Sequence, residues 1–154
     1  MNIKPIGRVD NGVYKRTDEH DWDSIISTII VDSELEEALD GIEEYSHIVV
    51  LFWLDRAKQD DLLKVKVPYG PKDLNPQGVF ATRIPQRPNP IGVSTVELLS
   101  RAANMLHVIG LDAFHGTPVL DIKPYTGYKR EFVLNFHVPE WAQYLAQEGR
   151  EAAQ

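Results

Sequence analysis

"IGVSTVELLSRAANMLHVIGLDA", residues 91–113, holds two β-rich runs with a polar break between them. IGVSTVELL (91–99) and MLHVIGLDA (105–113) are rich in branched and aliphatic side chains and read as strands. SRAAN (100–104) is the turn that joins them. A turn this short pairs its strands antiparallel, because a parallel pair needs a crossover of a dozen residues or more. The same reading extends in both directions. IKPIGRV (3–9) predicts a strand with Gly7 as a kink or bulge, and SIISTIIV (24–31) predicts another. HIVVLFWL (47–54) is apolar on both faces, as in a fully buried strand. LLKVKVP (62–68), GVFAT (78–82), PVLDIKPY (118–125) and EFVLNFHV (131–138) complete the set. Two segments read as helix. In SELEEALDG, Ser33 and Glu36 have capping-box spacing and Gly41 stands at the C-terminal stop, giving a short helix over 34–40. PEWAQYLAQEGREAA (139–153) puts Trp141, Tyr144 and Leu145 at helical spacing after Pro139. About eight mostly consecutive strands and two helices predict a mainly β protein. The expected fold is one small antiparallel β-barrel domain over 1–154, with a short internal helix and a C-terminal helix.

The bulk numbers agree with one ordinary core: 154 residues, 43% hydrophobic and 25% charged. With no cysteine, disulfides, thiolate metal sites and a cysteine nucleophile are excluded. The opening MNIKPIGRVD lacks the apolar region of a secretory signal, and the longest apolar run covers seven residues, IVVLFWL. A cytoplasmic protein with no membrane partner is expected.

Net charge is −7, which taken alone argues against a nucleic-acid partner. The charges are unevenly placed, however. Residues 1–61 carry 6 Lys/Arg against 15 Asp/Glu, whereas residues 62–96 carry 5 Lys/Arg against 1 Asp. This central block holds Lys64, Lys66, Lys72, Arg83 and Arg87, and residues 68–90 hold six of the ten prolines. Prolines fix the path of a loop, so FATRIPQRPNPIGVS (80–94) reads as a stiff loop carrying two arginines. Such a block is either a solvated surface or a local patch for phosphate.

Several chemistries are excluded by their missing motifs: there is no GxGxxG, no P-loop and no GxSxG. The five histidines show no ligand spacing, so no metal is expected, and His107 reads as a packed or surface histidine. Three places retain functional interest. One is the loop with Arg83, Arg87 and Asn89. Another is Asp55-Arg56, where a buried strand emerges. The third is GLDAFHGTPVLDIKPY (110–125), in which Asp112 closes an apolar run and Asp121 sits within another. A carboxylate in such a place needs partners. Residue chemistry alone points to a pocket at strand ends built from Arg and Asp.

GVFATRIPQRPNPIGVS and GLDAFHGTPVLDIKPY together resemble the TsaA/TrmO family of S-adenosylmethionine-dependent tRNA methyltransferases, which are β-barrels. ALDGIEEYSHIVVLFWLDR resembles the region just upstream, so the likeness covers roughly 38–125. The resemblance implies S-adenosylmethionine bound by Asp55, Arg56, Arg83, Val93, Ile109, Gly110, Leu111 and Asp112. It implies a homodimer, and tRNA as acceptor at N6 of threonylcarbamoyladenosine. Arg87, Asn89, Lys64, Lys66 and Lys72 would then bind the substrate, and Asp112, Asp121 and His115 are the candidates for a base by location. His115 stands where the family motif often has Asp, and the family's N-terminal cofactor segment has no clear counterpart in KRTDEHDWDSIIS. The altered N-terminal segment and the acidic charge suggest a small-molecule acceptor as one alternative, and a non-catalytic S-adenosylmethionine-binding module is another.

Overall fold

The structure, a computed structural model, describes residues 1–15, 21–58, 63–67, 71–128, 133 and 136–143. It divides into two compact units, residues 1–57 with 89–126, and residues 58–88 with 127–154.

The first unit is a closed barrel. Its strands are β1 (Gly7–Asp10), β2 (Ile26–Val31), β3 (His47–Trp53), β6 (Ile91–Ala102), β7 (Met105–Ile109) and β8 (Pro118–Pro124). They close in the order β1-β2-β7-β6-β3-β8, and every neighbouring pair is antiparallel. The hairpin that set the reading is the β6–β7 pair, with Ala102 opposite Met105. The turn is tighter than SRAAN suggested: only Ala103 and Asn104 lie outside the ladder. β6 is longer than expected at its C-terminal end, and β7 stops at Ile109, where Gly110 turns at φ +90°.

Inward residues fill the barrel. Ile29, Ile48, Val50, Leu106, Val108 and Val119 have no accessible surface. β3 was expected to be buried on both faces. Instead Ile48, Val50 and Phe52 point into the core while Val49, Leu51 and Trp53 are half-buried on the outer wall, because a barrel strand has only one inner face. Gly7 is a place of close approach: a Cβ there would meet the Ile30 carbonyl oxygen at 2.3 Å. The helix expected at 34–40 forms as a 3-10 helix, Ser33–Leu39. Ser33 is its first residue and Asp32 its cap, with no side-chain capping bond, so the capping box does not form.

The second unit contributes β4 (Lys64–Val65) and β5 (Gln77–Gly78), paired antiparallel with Lys64 opposite Gly78. The strand expected at 78–82 is instead the end of β5 followed by a 3-10 turn, Val79–Ala81. Buried Val79 and Val65 anchor this ribbon. The strand expected at 131–138 and the helix at 139–153 lie largely outside the described residues; within the latter, Glu140–Ala142 forms a 3-10 turn.

Candidate functional site

Alternating strand direction decides where the loops gather. The chain leaves β1, β3 and β7 at the same end of the barrel at which it enters β2, β6 and β8. That end is therefore walled by residues 11–15, 21–25, 54–57, 89–90 and 110–117. Most of the first unit's predicted site residues come together here: Asp55, Arg56, Asn89, Ile109, Gly110, Leu111, Asp112 and His115. Val93 and Asp121 do not. Val93 lies opposite Leu51 in the β3–β6 pair and Asp121 lies opposite Leu51 in the β3–β8 pair, so all three share one row on the outer wall.

Arg56 does work that its position in the sequence did not signal. Its guanidinium donates to the carbonyl oxygen of Tyr14, and through Nη2 to that of His115 at 2.7 Å. It also lies over the Phe114 ring, 5.0 Å from the centroid. One side chain at the end of β3 thus ties the loop after β1 to the loop before β8. Aromatic contacts reinforce the tie: Trp22 meets Phe114 edge-on at 5.7 Å, and the Tyr14 and His115 rings are 4.7 Å apart.

His115 is held as an acceptor. Its Nδ1 receives the backbone N–H of Asn11 at 3.4 Å and of Gly12 at 3.3 Å, which assigns the proton to Nε2. Asp10 Oδ1 is also 3.4 Å from Nδ1, and that contact becomes an ion pair only if Nδ1 gains a proton and gives up both amide bonds. Asn11 completes the frame. Its amide donates to Ser27 Oγ at 3.0 Å and to the Ala113 carbonyl at 2.9 Å, and its Oδ1 accepts from Val13 N–H at 3.0 Å. Sequence reading missed Asn11, Tyr14 and Phe114; the Asn11-Gly12 pair is their one local signal, as a turn.

Of the eight residues expected to bind the cofactor, the consecutive run 109–112 divides. Leu111 is fully buried in the core and its carbonyl accepts from Ala113 N–H at 2.9 Å, so its side chain does not face the loops. Asp112 is exposed, as is Asp55. Ile109 is half-buried, beside exposed Ile26 in the β2–β7 pair. Gly110 has no atom within 4 Å of where a Cβ would stand. Asp121 is engaged on the outer wall: Lys123 Nζ is 2.6 Å from its Oδ2, and its Oδ1 accepts from Ile122 N–H at 3.0 Å.

Arg83, Arg87, Lys64, Lys66 and Lys72 belong to the second unit. Lys64, Lys66, Lys72 and Arg83 are exposed. Arg87 is half-buried and braces its own loop, with Nη1 donating to the carbonyls of Thr82 at 3.4 Å and Ile84 at 3.3 Å. Thr82 in turn returns both its N–H and its hydroxyl to the Val79 carbonyl, at 3.2 and 2.9 Å. That network braces the loop alongside its prolines.

A polar recess of about 440 Å³ opens at the other end of the barrel, lined by Arg8, Asp32, Ser33, Glu34 and Asn104 among others. It contains none of the predicted site residues. Among the described residues no group of three His, Asp or Glu side chains could hold a metal ion, and no helix is long and apolar enough to cross a membrane.

Fold and loops together define a small antiparallel β-barrel protein whose loop-walled end combines carboxylates and apolar side chains. Residues 18–129 match the tRNA-methyltransferase O N-terminal domain, and the chain belongs to that family. An S-adenosyl-L-methionine-binding protein of Archaeoglobus fulgidus is 40% identical over 129 residues, 82% of this chain and 90% of that protein. A probable S-adenosyl-L-methionine-binding protein of the same organism is 56% identical over 93 residues, covering 60% of this chain but 24% of its own length. Human tRNA (adenine(37)-N6)-methyltransferase is 41% identical over 92 residues, 58% of this chain and 20% of that protein. The crystal structure of TrmO from Pseudomonas aeruginosa superposes with a TM-score of 0.71 at 29% identity, covering all of this chain and 75% of that one.

Proposed function

We propose that this protein transfers a methyl group from S-adenosylmethionine to N6 of threonylcarbamoyladenosine beside the anticodon of tRNA, acting as a cytoplasmic homodimer. The single observation that carries the tRNA acceptor is the match over 18–129 to a tRNA-methyltransferase domain, joined to a human relative named for adenine N6 in tRNA. The cofactor is S-adenosylmethionine, for which the archaeal relatives are named.

The loop-walled end fits that cofactor. The exposed carboxylate of Asp55 suits its ribose hydroxyls or ammonium group. Ile26 and Ile109 offer an apolar surface for its adenine, and the open space at Gly110 lets backbone approach it. When bound, S-adenosylmethionine supplies a methyl group already activated on a sulfonium. The protein's share is then orientation and exclusion of water. Arg56, with both bonds on loop carbonyls, holds the wall in shape.

Of the three candidate bases, Asp121 lies on the outer wall beside Lys123, while Asp112 and His115 stand at the loop-walled end. We take Asp112, a carboxylate exposed at that end, as the group that receives the N6 proton. The test is transfer of labelled methyl to threonylcarbamoylated tRNA. Asp112→Asn should lower kcat by about 10²–10⁴-fold, the usual worth of a positioned base. Brisk labelling of a metabolite with none of the tRNA overturns the acceptor. Sedimentation of only a 17.5 kDa species at micromolar concentration overturns the dimer.

A further inference from the structure

We propose that Phe80 is a stacking platform for a nucleobase in a single-stranded stretch of the RNA acceptor, with Lys64 and Lys66 holding the adjoining phosphates. The proposal rests on the tRNA reading above and names a binding residue that nothing in that reading requires. Phe80 is 81% exposed, on an element built to keep it there. It is the middle residue of the 3-10 turn Val79–Ala81. Val79, before it, is 2% exposed and serves as the anchor. Thr82, after it, closes the turn with two bonds to the Val79 carbonyl, and Arg87 holds Thr82 and Ile84 from behind. The ring is therefore presented from a braced turn, and little freedom is lost when something settles on it.

The surroundings select the occupant. Val79 N–H donates to the Leu63 carbonyl at 3.1 Å, and Lys64 stands opposite Gly78, two residues before Phe80. Leu63 is itself 80% exposed, and Lys64 and Lys66 follow it. Among the described residues no ion pair engages Lys64, Lys66 or Lys72. Protein interfaces are depleted in lysine. An open aromatic face with flanking cations is what a single strand requires, since every base has a π face and every linkage a charge.

The experiment measures binding of two RNAs to the intact chain with S-adenosylmethionine present: threonylcarbamoylated tRNA, and an oligoadenylate that no transfer depends on. Phe80→Ala should weaken both by about 5- to 150-fold while cofactor affinity and sedimentation stay unchanged. Phe80→Tyr should retain most of the binding, and F80W should add a fluorescence signal that RNA quenches. Unchanged RNA affinity in Phe80→Ala overturns the proposal. So does a shift of that variant from dimer to monomer, which would assign the ring to a protein contact. If the wild type labels no tRNA yet binds oligoadenylate through Phe80, the stacking role stands and the tRNA acceptor falls; if it binds neither RNA, both fall.

Discussion

Gly92 packs its Cα against the ring of Phe52: a Cβ built there would lie 2.3 Å from Phe52 Cε2 and 2.5 Å from Cζ. The two residues are paired across β3 and β6, and Phe52 is a core side chain with no room to withdraw. Gly92→Ala should therefore destabilise the barrel by about 1–3 kcal/mol, the usual cost of overpacking. Urea unfolding followed by tryptophan fluorescence would read this as a lower midpoint at an unchanged slope. Ala103 shows the opposite case. It holds φ 54° in the two-residue turn of the β6–β7 hairpin, a conformation that costs an L-residue about 1–2 kcal/mol. Glycine there relieves that cost but adds unfolded-chain entropy, so Ala103→Gly should raise stability by about 0.5 kcal/mol net. A lower melting temperature would show that the turn is not strained.

At the scale of elements, Arg101 is the clamp at the far end of β6. It donates to Asp40 Oδ1 at 2.9 Å, to Glu43 Oε2 at 3.3 Å, and to the carbonyls of Glu36 at 3.3 Å and Ala103 at 3.0 Å. It thereby fastens the 3-10 segments Ser33–Leu39 and Ile42–Glu44 to the β6–β7 turn. Glu43 is held below its ordinary 4.5 first by a backbone hydrogen bond of its own and then by Arg101, while Arg101 is pushed up, foremost by its bond to Asp40. A carboxylate lowered in the folded state contributes stability above its unfolded value, and that contribution fades as pH falls through the folded one. Arg101→Met keeps the aliphatic stem and removes the charge. The stability gap between wild type and variant should shrink as pH is lowered from 6 to 3, and a gap that stayed constant or widened would refute the electrostatic role.

For the whole molecule, charge placement carries the argument. A chain of net charge −7 binds an anion only through a local surface, and residues 62–96, with 5 Lys/Arg against 1 Asp, are the one we propose. Replacing Lys64, Lys66 and Lys72 together by Ala should reduce the slope of log K against log salt for tRNA by about 2–3, at roughly 0.7–0.9 per phosphate contact. Cofactor affinity should be unaffected. A slope equal to that of the wild type would place the phosphates elsewhere on the molecule.

Much of this was legible before any fold was known. Strand content, antiparallel pairing and the β6–β7 hairpin follow from local periodicity and a short turn, because an alternating run has one way to bury its apolar face. The motifs around Arg83 and 110–125 named the family, and the basic block was visible as a count of charges. Tertiary structure decided the rest. Closure of the ring gathered Asp55, Arg56, Asn89, 109–112 and His115 at one end and left Val93 and Asp121 on the wall, which depends on register across strands far apart in sequence. Closure also made β3 one-sided, where its composition read as buried throughout. Arg56 reads in the sequence as a charged residue at a strand end. Only the meeting of two loops, 42 and 59 residues away from it, makes it a brace. Phe80 likewise reads as one more apolar residue, and it is exposed because the turn that carries it spends its burial on Val79. Local periodicity sets which face of a strand is apolar; which side chains meet is set by long-range pairing, and the loop-walled end of this barrel is made of such meetings.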